Sequence, residues 1–291
     1  MTVREAYETA IEDLKHAGFD RNEARTCARL LIDDFTKTSH AHLSIPQQLL
    51  FEDTFPKPLF DELERVLRGE PLAHVLGKRA FFGLDFLCDK RALIPRPETE
   101  LLVENATEKL RDCKSPLIAD LGTGSGCIAV SLAHELPQCV VYATDLSPDA
   151  LGLARQNARL HKLENRIEFV EGQSGEWAQP LISEGFARQF SCIVTNPPYI
   201  SRPDIEELPT QIRDFEPRLA LDGGGDGLDC YRQIAAQCPL LLCENGFLLA
   251  ELGAAQFDDV KTIFECAGWK VEPPILDLAN HKRVLSAMLA K

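Results

Sequence analysis

The residues with the most chemical potential are Asn196-Pro197-Pro198-Tyr199, which directly follow the apolar run Ser191-Cys192-Ile193-Val194-Thr195. Two successive prolines have no N–H groups and hold the backbone in restricted dihedrals, so carbonyl oxygens are left to accept hydrogen bonds. An amide or aniline-like NH2 has two donors and a delocalised, poorly nucleophilic lone pair. If the Asn196 side-chain oxygen and the Pro197 carbonyl accept those two hydrogens, the nitrogen is anchored with its lone pair aimed at an electrophilic methyl for in-line displacement. Positioning then supplies most of the rate. Tyr199 is expected to lie against the flat face of the target group and exclude water from it. Asn196, Pro197 and Tyr199 are thus the candidate catalytic residues, and the same three with Pro198 form the candidate substrate site. No general base is required before transfer, because the alkylated nitrogen becomes acidic and sheds its proton afterwards. The bland alternative is a proline turn that happens to follow a strand.

A second group is Ile118-Ala119-Asp120-Leu121-Gly122-Thr123-Gly124-Ser125-Gly126-Cys127, which reads as a buried strand, a glycine-rich turn and the start of a helix. Glycines let the backbone approach a ligand closely, and the helix N-terminus favours its negatively charged end. A dinucleotide fingerprint requires Gly-x-Gly-x-x-Gly, whereas counting from Gly122 the sixth position is Cys127. The spacing Gly-x-Gly-x-Gly resembles the first motif of class I methyltransferases, whose cofactor is S-adenosyl-L-methionine. Asp145 ends the next apolar run, about 20 residues beyond the turn, where a carboxylate accepts hydrogen bonds from both ribose hydroxyls. That position is shared by nicotinamide and S-adenosylmethionine proteins. After the third strand Gly172-Gln173 stands where such methyltransferases often have Gly-Asp, so Glu176 or Trp177 is expected to meet the adenine, with Trp177 flanking the purine. The alternative for Trp177 is plain packing on the sheet. The candidate cofactor residues are Gly122, Thr123, Gly124, Ser125, Gly126, Asp145, Trp177 and Asn196; no metal site is expected.

The elements that must hold these groups follow from periodicity. After Pro116, short apolar runs alternate with helical segments: PLIADLG, a helix from Gly126 to Leu136, VVYATD, a helix from Pro148 to Leu160, RIEFV, and Phe190 to Thr195. Further strands are expected at Gly246 to Leu252, Lys270 to Ile275 and Val284 to Leu289. Such alternation specifies an α/β fold with a mostly parallel, Rossmann-like sheet. Asn196 would then stand at the carboxyl edge of that sheet, where open α/β folds bind ligands. Upstream, from Val3 to about Gly69, apolar residues such as Ala6, Ala10, Leu14, Ala28, Leu31 and Ile32 fall at helical spacing, with breakers at Gly18 and Pro46. This reads as a small N-terminal helical domain, residues 1–79. A Phe-rich hairpin linker, residues 80–93, and a catalytic domain, residues 94–291, follow. The glycine run Asp222 to Gly227 reads as a flexible surface loop, and His74 as a packed residue at the domain junction.

A net charge of −14 argues against holding nucleic acid chiefly through phosphate neutralisation. The ten cysteines are scattered, with no Cys-x-x-Cys pair, and read as reduced thiols of a cytoplasmic protein. No run approaches the roughly 20 apolar residues that span a bilayer.

The chain resembles the protein-(glutamine-N5) methyltransferases that modify peptide chain release factors, the PrmC/HemK family. The likeness covers nearly the whole length: PLAHVLG from Pro71, Phe82-Gly83, LIPRPETE from Leu93, the glycine turn, Asn196 to Tyr199, and FEPRLAL from Phe215. IPRPETE and FEP followed by AL restrict the family far more than the tetrapeptide, which DNA adenine and cytosine methyltransferases share in related forms. The resemblance implies a helical domain that grips a class I peptide chain release factor and a pocket that receives the glutamine of its Gly-Gly-Gln tip. It further implies that Arg96 to Glu100 lie near the methionine end of the donor and Phe215 to Pro217 near the mouth for the substrate loop; a monomer with no direct nucleic-acid substrate is expected. Rival readings are a DNA adenine-N6 methyltransferase, a noncatalytic release-factor-binding protein and a nicotinamide oxidoreductase.

Overall fold

Thr2 starts the first helix by a reciprocal cap: its hydroxyl accepts from Glu5 N at 3.1 Å and its N–H donates to Glu5 Oε2 at 2.6 Å. Helix α1 (Val3–His16) buries Ala6, Ala10 and Leu14, and α2 (Arg21–Thr36) buries Ala24, Cys27, Ala28, Leu31 and Ile32. The computed structural model describes residues 2–36 and 57–290. Pro46, read as a breaker, lies outside them. Helix α3 (Lys57–Leu67) adds Leu59, Leu63 and Val66 to the same core, and α4 (Leu72–Leu76) buries His74 and ends on left-handed Gly77. The chain divides into two compact units, Met1–Gly77 with Thr210–Phe215, and Lys78–Pro209 with Glu216–Lys291.

The second unit opens with a hairpin, β1 (Lys78–Phe81) and β2 (Leu84–Leu87). Its turn residues Phe82 and Gly83 both have positive φ, 47° and 74°, as a two-residue type I′ turn requires. Glu100 steadies the Phe82 conformation by accepting its N–H at 2.9 Å. Phe81 and Phe86 are buried in the main core, where each contributes about 1.5–3 kcal/mol. The strand pair stops at Leu87, and residues 88–96 continue without regular structure, with 91–96 lining a cavity.

Helix α5 (Glu100–Leu110) leads to β3 (Leu117–Leu121), α6 (Cys127–Glu135), β4 (Val140–Asp145), α7 (Pro148–Leu160), β5 (Ile167–Glu171), β6 (Phe190–Thr195), β7 (Leu242–Glu251), β8 (Trp269–Val271), β9 (Ile275–Leu276) and β10 (Lys282–Leu289). Helices Asp229–Gln237 and Phe257–Cys266 flank β7 in the chain. The sheet has eight strands in the order β5-β4-β3-β6-β7-β10-β8, with β9 paired to β10. Strands β3 to β7 pair in parallel, and β10 is antiparallel to β7, β8 and β9. The strand expected at Lys270 to Ile275 is broken because Pro273 and Pro274 offer no N–H to a ladder. One face of the sheet packs α5, α6, α7 and the hairpin phenylalanines; the other packs the helices Asp229–Gln237 and Phe257–Cys266. The chain runs outward from β3 to β4 and β5, then returns to the other side of β3 as β6, so the order reverses at β3. Loops that leave β3 and β6 at their carboxyl ends therefore diverge and open a crevice.

Candidate functional site

The glycine turn leaves β3 at Leu121 and is bound to the end of β4. Gly122 N and Thr123 N both donate to the Thr144 carbonyl, at 2.9 and 2.8 Å. Gly122, Gly124 and Gly126 all have positive φ, which side chains resist. Asp120 is fully buried beneath the turn, where its Oδ2 accepts from Thr123 Oγ1 at 2.6 Å and Ala129 N at 3.1 Å. Burial pushes this carboxyl up to about 7 against those two hydrogen bonds.

Asp145 is the last residue of β4. Its Oδ2 accepts from Gly124 N at 2.8 Å and its Oδ1 from Ser147 N at 2.9 Å. Each oxygen keeps a lone pair, so the carboxylate can still receive two hydroxyls. Burial raises its pKa, and the hydrogen bonds from Ser147 and Gly124 hold it down.

Trp177 stands over the turn: a Cβ at Gly122 would come within 3.6 Å of its ring. Two glutamines of the helix Asp229–Gln237 fix it there. Trp177 Nε1 donates to Gln233 Oε1 at 2.9 Å, Trp177 N donates to Gln237 Oε1 at 2.8 Å, and Gln237 Nε2 donates to the Gly175 carbonyl at 2.6 Å. The sequence reading missed both glutamines, whose helical spacing of four was the available signal.

Asn196 leaves the end of β6, which Thr195 ties to β3 by donating Oγ1–H to the Leu121 carbonyl at 2.8 Å. The Asn196 side-chain NH2 donates to Thr99 Oγ1 at 3.2 Å, and Thr99 Oγ1 donates to Glu251 Oε2 at 2.6 Å. Glu251, the last residue of β7, is buried and pushed up to about 7, first by that burial, with Thr99 and Arg283 opposing it. Sequence reading missed Glu251, although an acid closing the apolar run Phe247-Leu248-Leu249-Ala250 was visible.

One cavity of about 630 Å³ joins these parts. Its wall includes Gly122, Thr123, Gly124, Ser125, Asp145, Trp177, Asn196 and Pro198, together with Thr99. Gln173 and Glu176 line it as well, and Glu176 N donates to the Gln173 carbonyl at 2.9 Å.

Three expected site residues are not in that wall. Gly126 packs on a helix: a Cβ there would lie 3.0 Å from Ala154 Cβ of α7. Pro197 is buried. Tyr199 is partly buried against the apolar cluster that contains Tyr231 and Ile234, and burial pushes its hydroxyl up to about 12. The tyrosine ring thus packs on this cluster with part of its surface left exposed.

The glycine run is also not a loose surface loop. A Cβ on Gly223 would lie 2.7 Å from Tyr199 Cα, and one on Gly227 2.5 Å from the Tyr199 carbonyl oxygen. The run packs on the backbone of the reaction motif, and Gln256 Nε2 donates to that same carbonyl at 2.9 Å.

The other motif residues frame the cavity. Arg96 reaches Glu216 Oε1 at 2.5 Å and Ile94 N donates to Glu216 Oε2 at 3.2 Å, so the IPRP segment is clamped to the FEP segment. Pro217 lines the cavity, whereas Phe215 belongs to the first compact unit.

The wall carries a strand-end carboxylate, an indole and a turn whose missing side chains leave room for a ligand, a set of groups that fits an adenosine-bearing sulfonium donor. Residues 97–212 match the methyltransferase small domain family. The chain is 37% identical over 288 residues to the release factor glutamine methyltransferase of Moorella thermoacetica, covering 99% of this chain and 98% of that one. It is 36% identical over 290 residues to the enzyme of the same name from Bradyrhizobium diazoefficiens, covering 98% and 94%. Among solved structures it is similar in fold to a methyltransferase from Pyrococcus furiosus, with 16% identity, a TM-score of 0.52, and coverage of 79% of this chain and 99% of that one.

Proposed function

The chain belongs to the family of release factor glutamine methyltransferases, and we propose that it methylates the side-chain nitrogen (N5) of the glutamine in the Gly-Gly-Gln tip of class I peptide chain release factors. Its cofactor is S-adenosylmethionine. When bound, that cofactor supplies a methyl group activated by a positively charged sulfur. Asp145 would hold the ribose, Trp177 the purine, and the turn Gly122 to Ser125 the chain between them.

One observation carries the reading. The Asn196 side chain lies in the wall of the same cavity as Asp145, and Thr99 takes its NH2. Its carbonyl oxygen has no hydrogen-bond partner among the described residues, so it can accept one hydrogen of a substrate amide. We assign the other hydrogen to the Pro197 carbonyl, for which neither Pro197 nor Pro198 brings a competing N–H. Held by both hydrogens, the amide nitrogen keeps one direction open for its lone pair. The methylated nitrogen then releases a proton to water, and no side chain has to act as base beforehand.

The helical N-terminal region is assigned to gripping the release factor. No helix among the described residues is long and apolar enough to cross a membrane, and all ten cysteines are free thiols. We place the enzyme in the cytoplasm as a monomer that acts on protein, not on nucleic acid.

The test is transfer of labelled methyl to purified release factor, with duplex DNA and the Asn196→Ala variant in parallel. Label is expected on one glutamine only and drops at least about a hundredfold in the variant. Label on DNA in its place would overturn the reading.

A further inference from the structure

An asparagine side chain has nearly the same shape whichever way its oxygen and nitrogen are placed, so its orientation is decided by its partners. At Asn196 those partners form a directed chain. Glu251 sits at the end of β7, 152 residues away from Thr99 in sequence, and its Oε2 is the acceptor of this pair. Thr99 has one O–H, and at 2.6 Å it commits that hydrogen to Glu251 Oε2. Its oxygen therefore offers Asn196 only lone pairs, and the side-chain NH2 must face it, as found at 3.2 Å. The carboxamide oxygen is left for the cavity.

We propose that Thr99 and Glu251 are positioning residues that fix the polarity of the Asn196 carboxamide, and so make the acceptor site select an NH2 group over an oxygen. The proposal rests on the reading that Asn196 accepts a hydrogen from the substrate amide. With the carboxamide reversed, its oxygen would meet the Thr99 lone pairs, and its NH2 would point at the substrate NH2, donor against donor. The unreversed form accepts from glutamine and has nothing to donate to the oxygens of a glutamate. Both positioning groups are shielded from water, which would otherwise satisfy either orientation: Thr99 is 3% and Glu251 1% exposed. Tyr231 holds the Glu251 backbone in place by donating its hydroxyl to the Glu251 carbonyl at 2.8 Å.

The test compares Thr99→Val, which keeps the shape and removes the hydroxyl, with Thr99→Ser, which restores it. Two readouts are taken on the full chain. The first is steady-state methylation of release factor, together with calorimetric binding of S-adenosylhomocysteine. Thr99→Val is expected to lower kcat by about ten- to a hundredfold while S-adenosylhomocysteine binding changes little, and Thr99→Ser is expected to recover most of the lost kcat. The second is the Asn196 side-chain NH2 signal in nitrogen-15-labelled protein, assigned by its loss in Asn196→Ala. Its hydrogen-bonded proton is expected to move upfield in Thr99→Val and to return in Thr99→Ser.

A Thr99→Val variant with wild-type kcat, a Thr99→Ser variant as impaired as Thr99→Val, or an NH2 signal indifferent to either change would overturn the proposal. Should the wild-type enzyme label no release factor, the functional reading fails by itself, and the NH2 signal still decides whether Thr99 sets the orientation.

Discussion

The side chain of Asn157, buried in α7, donates to the Ser125 carbonyl at 2.8 Å and so grips the glycine turn from below. The same carboxamide accepts from Leu87 N at 2.7 Å and donates to the Leu87 carbonyl at 3.2 Å. One residue thereby fastens the hairpin strand β2 to the loop that lines the cavity.

Replacing Asn157 by Leu fills the space and leaves the Leu87 N–H and two carbonyls without their partner. Each buried orphan costs about 1–3 kcal/mol, so a loss on the order of 3 kcal/mol in folding free energy is expected. Urea unfolding checks this, and a loss below about 1 kcal/mol would mean that water takes over the bonds.

Gly227→Ala probes the packing behind the reaction corner. Its φ is +77° and a Cβ would approach the Tyr199 carbonyl oxygen to 2.5 Å. Left-handed strain and overpacking together predict a destabilisation of about 2 kcal/mol or more. Methyl transfer should fall more than affinity for S-adenosylhomocysteine, because the strained contact is to the motif proposed to hold the acceptor. Equal losses in the two assays would assign the glycine to folding alone.

Trp177→Ala removes the indole above Gly122 without touching the acceptor corner. Affinity for S-adenosylhomocysteine should weaken about tenfold, the scale of one aromatic contact. The other tryptophan, Trp269, is buried with its Nε1–H donated to the Ala235 carbonyl. Ligand-induced quenching of fluorescence should therefore disappear in Trp177→Ala, and its survival would exclude contact between the indole and the ligand.

Asp120 and Glu251 make stability depend on pH in an uncommon direction for carboxyls. Both are pushed up to about 7, burial being the first cause in each; Thr123 and Ala129 oppose it at Asp120, while Thr99, Arg283 and Arg96 oppose it and Glu98 reinforces it at Glu251. Unfolded, such groups titrate near about 4. The folded chain thus holds these protons more tightly. Their stabilisation is complete below the unfolded value and is lost as pH rises through about 7, with a limiting slope of about 1.4 kcal/mol per pH unit for each group. Unfolding free energies measured from pH 5 to 8 should fall less steeply in Asp120→Asn than in wild type. Parallel curves would show that Asp120 is ionised throughout.

Local pattern made much of the sheet readable. Strands Val140–Asp145 and Phe190–Thr195 and the helix Pro148–Leu160 have the bounds that periodicity predicts. Ser147 caps that helix by accepting from Ala150 N at 3.2 Å, which is a short-range signal. What escaped depends on distant partners. The packing of the Tyr199 ring is set by the apolar cluster around Tyr231 and Ile234, and no feature of Asn-Pro-Pro-Tyr encodes that cluster. The run Asp222 to Gly227 has the composition of a mobile loop, and only its contact with Tyr199 shows why side chains are excluded there. The partnership of Thr99 with Glu251 joins the IPRPETE segment to the end of β7 through tertiary structure alone.

Strands β3 and β6 are immediate neighbours, with Asp120 opposite Val194 and Leu121 opposite Thr195. Adjacent strands in a sheet are held about 4.8 Å apart by their ladder. The loops that emerge from these two strands thus inherit a fixed gauge from the backbone itself. Substitutions can alter what stands on either loop, yet the spacing of the two strand ends is ruled by peptide geometry and is hard to change by point mutation.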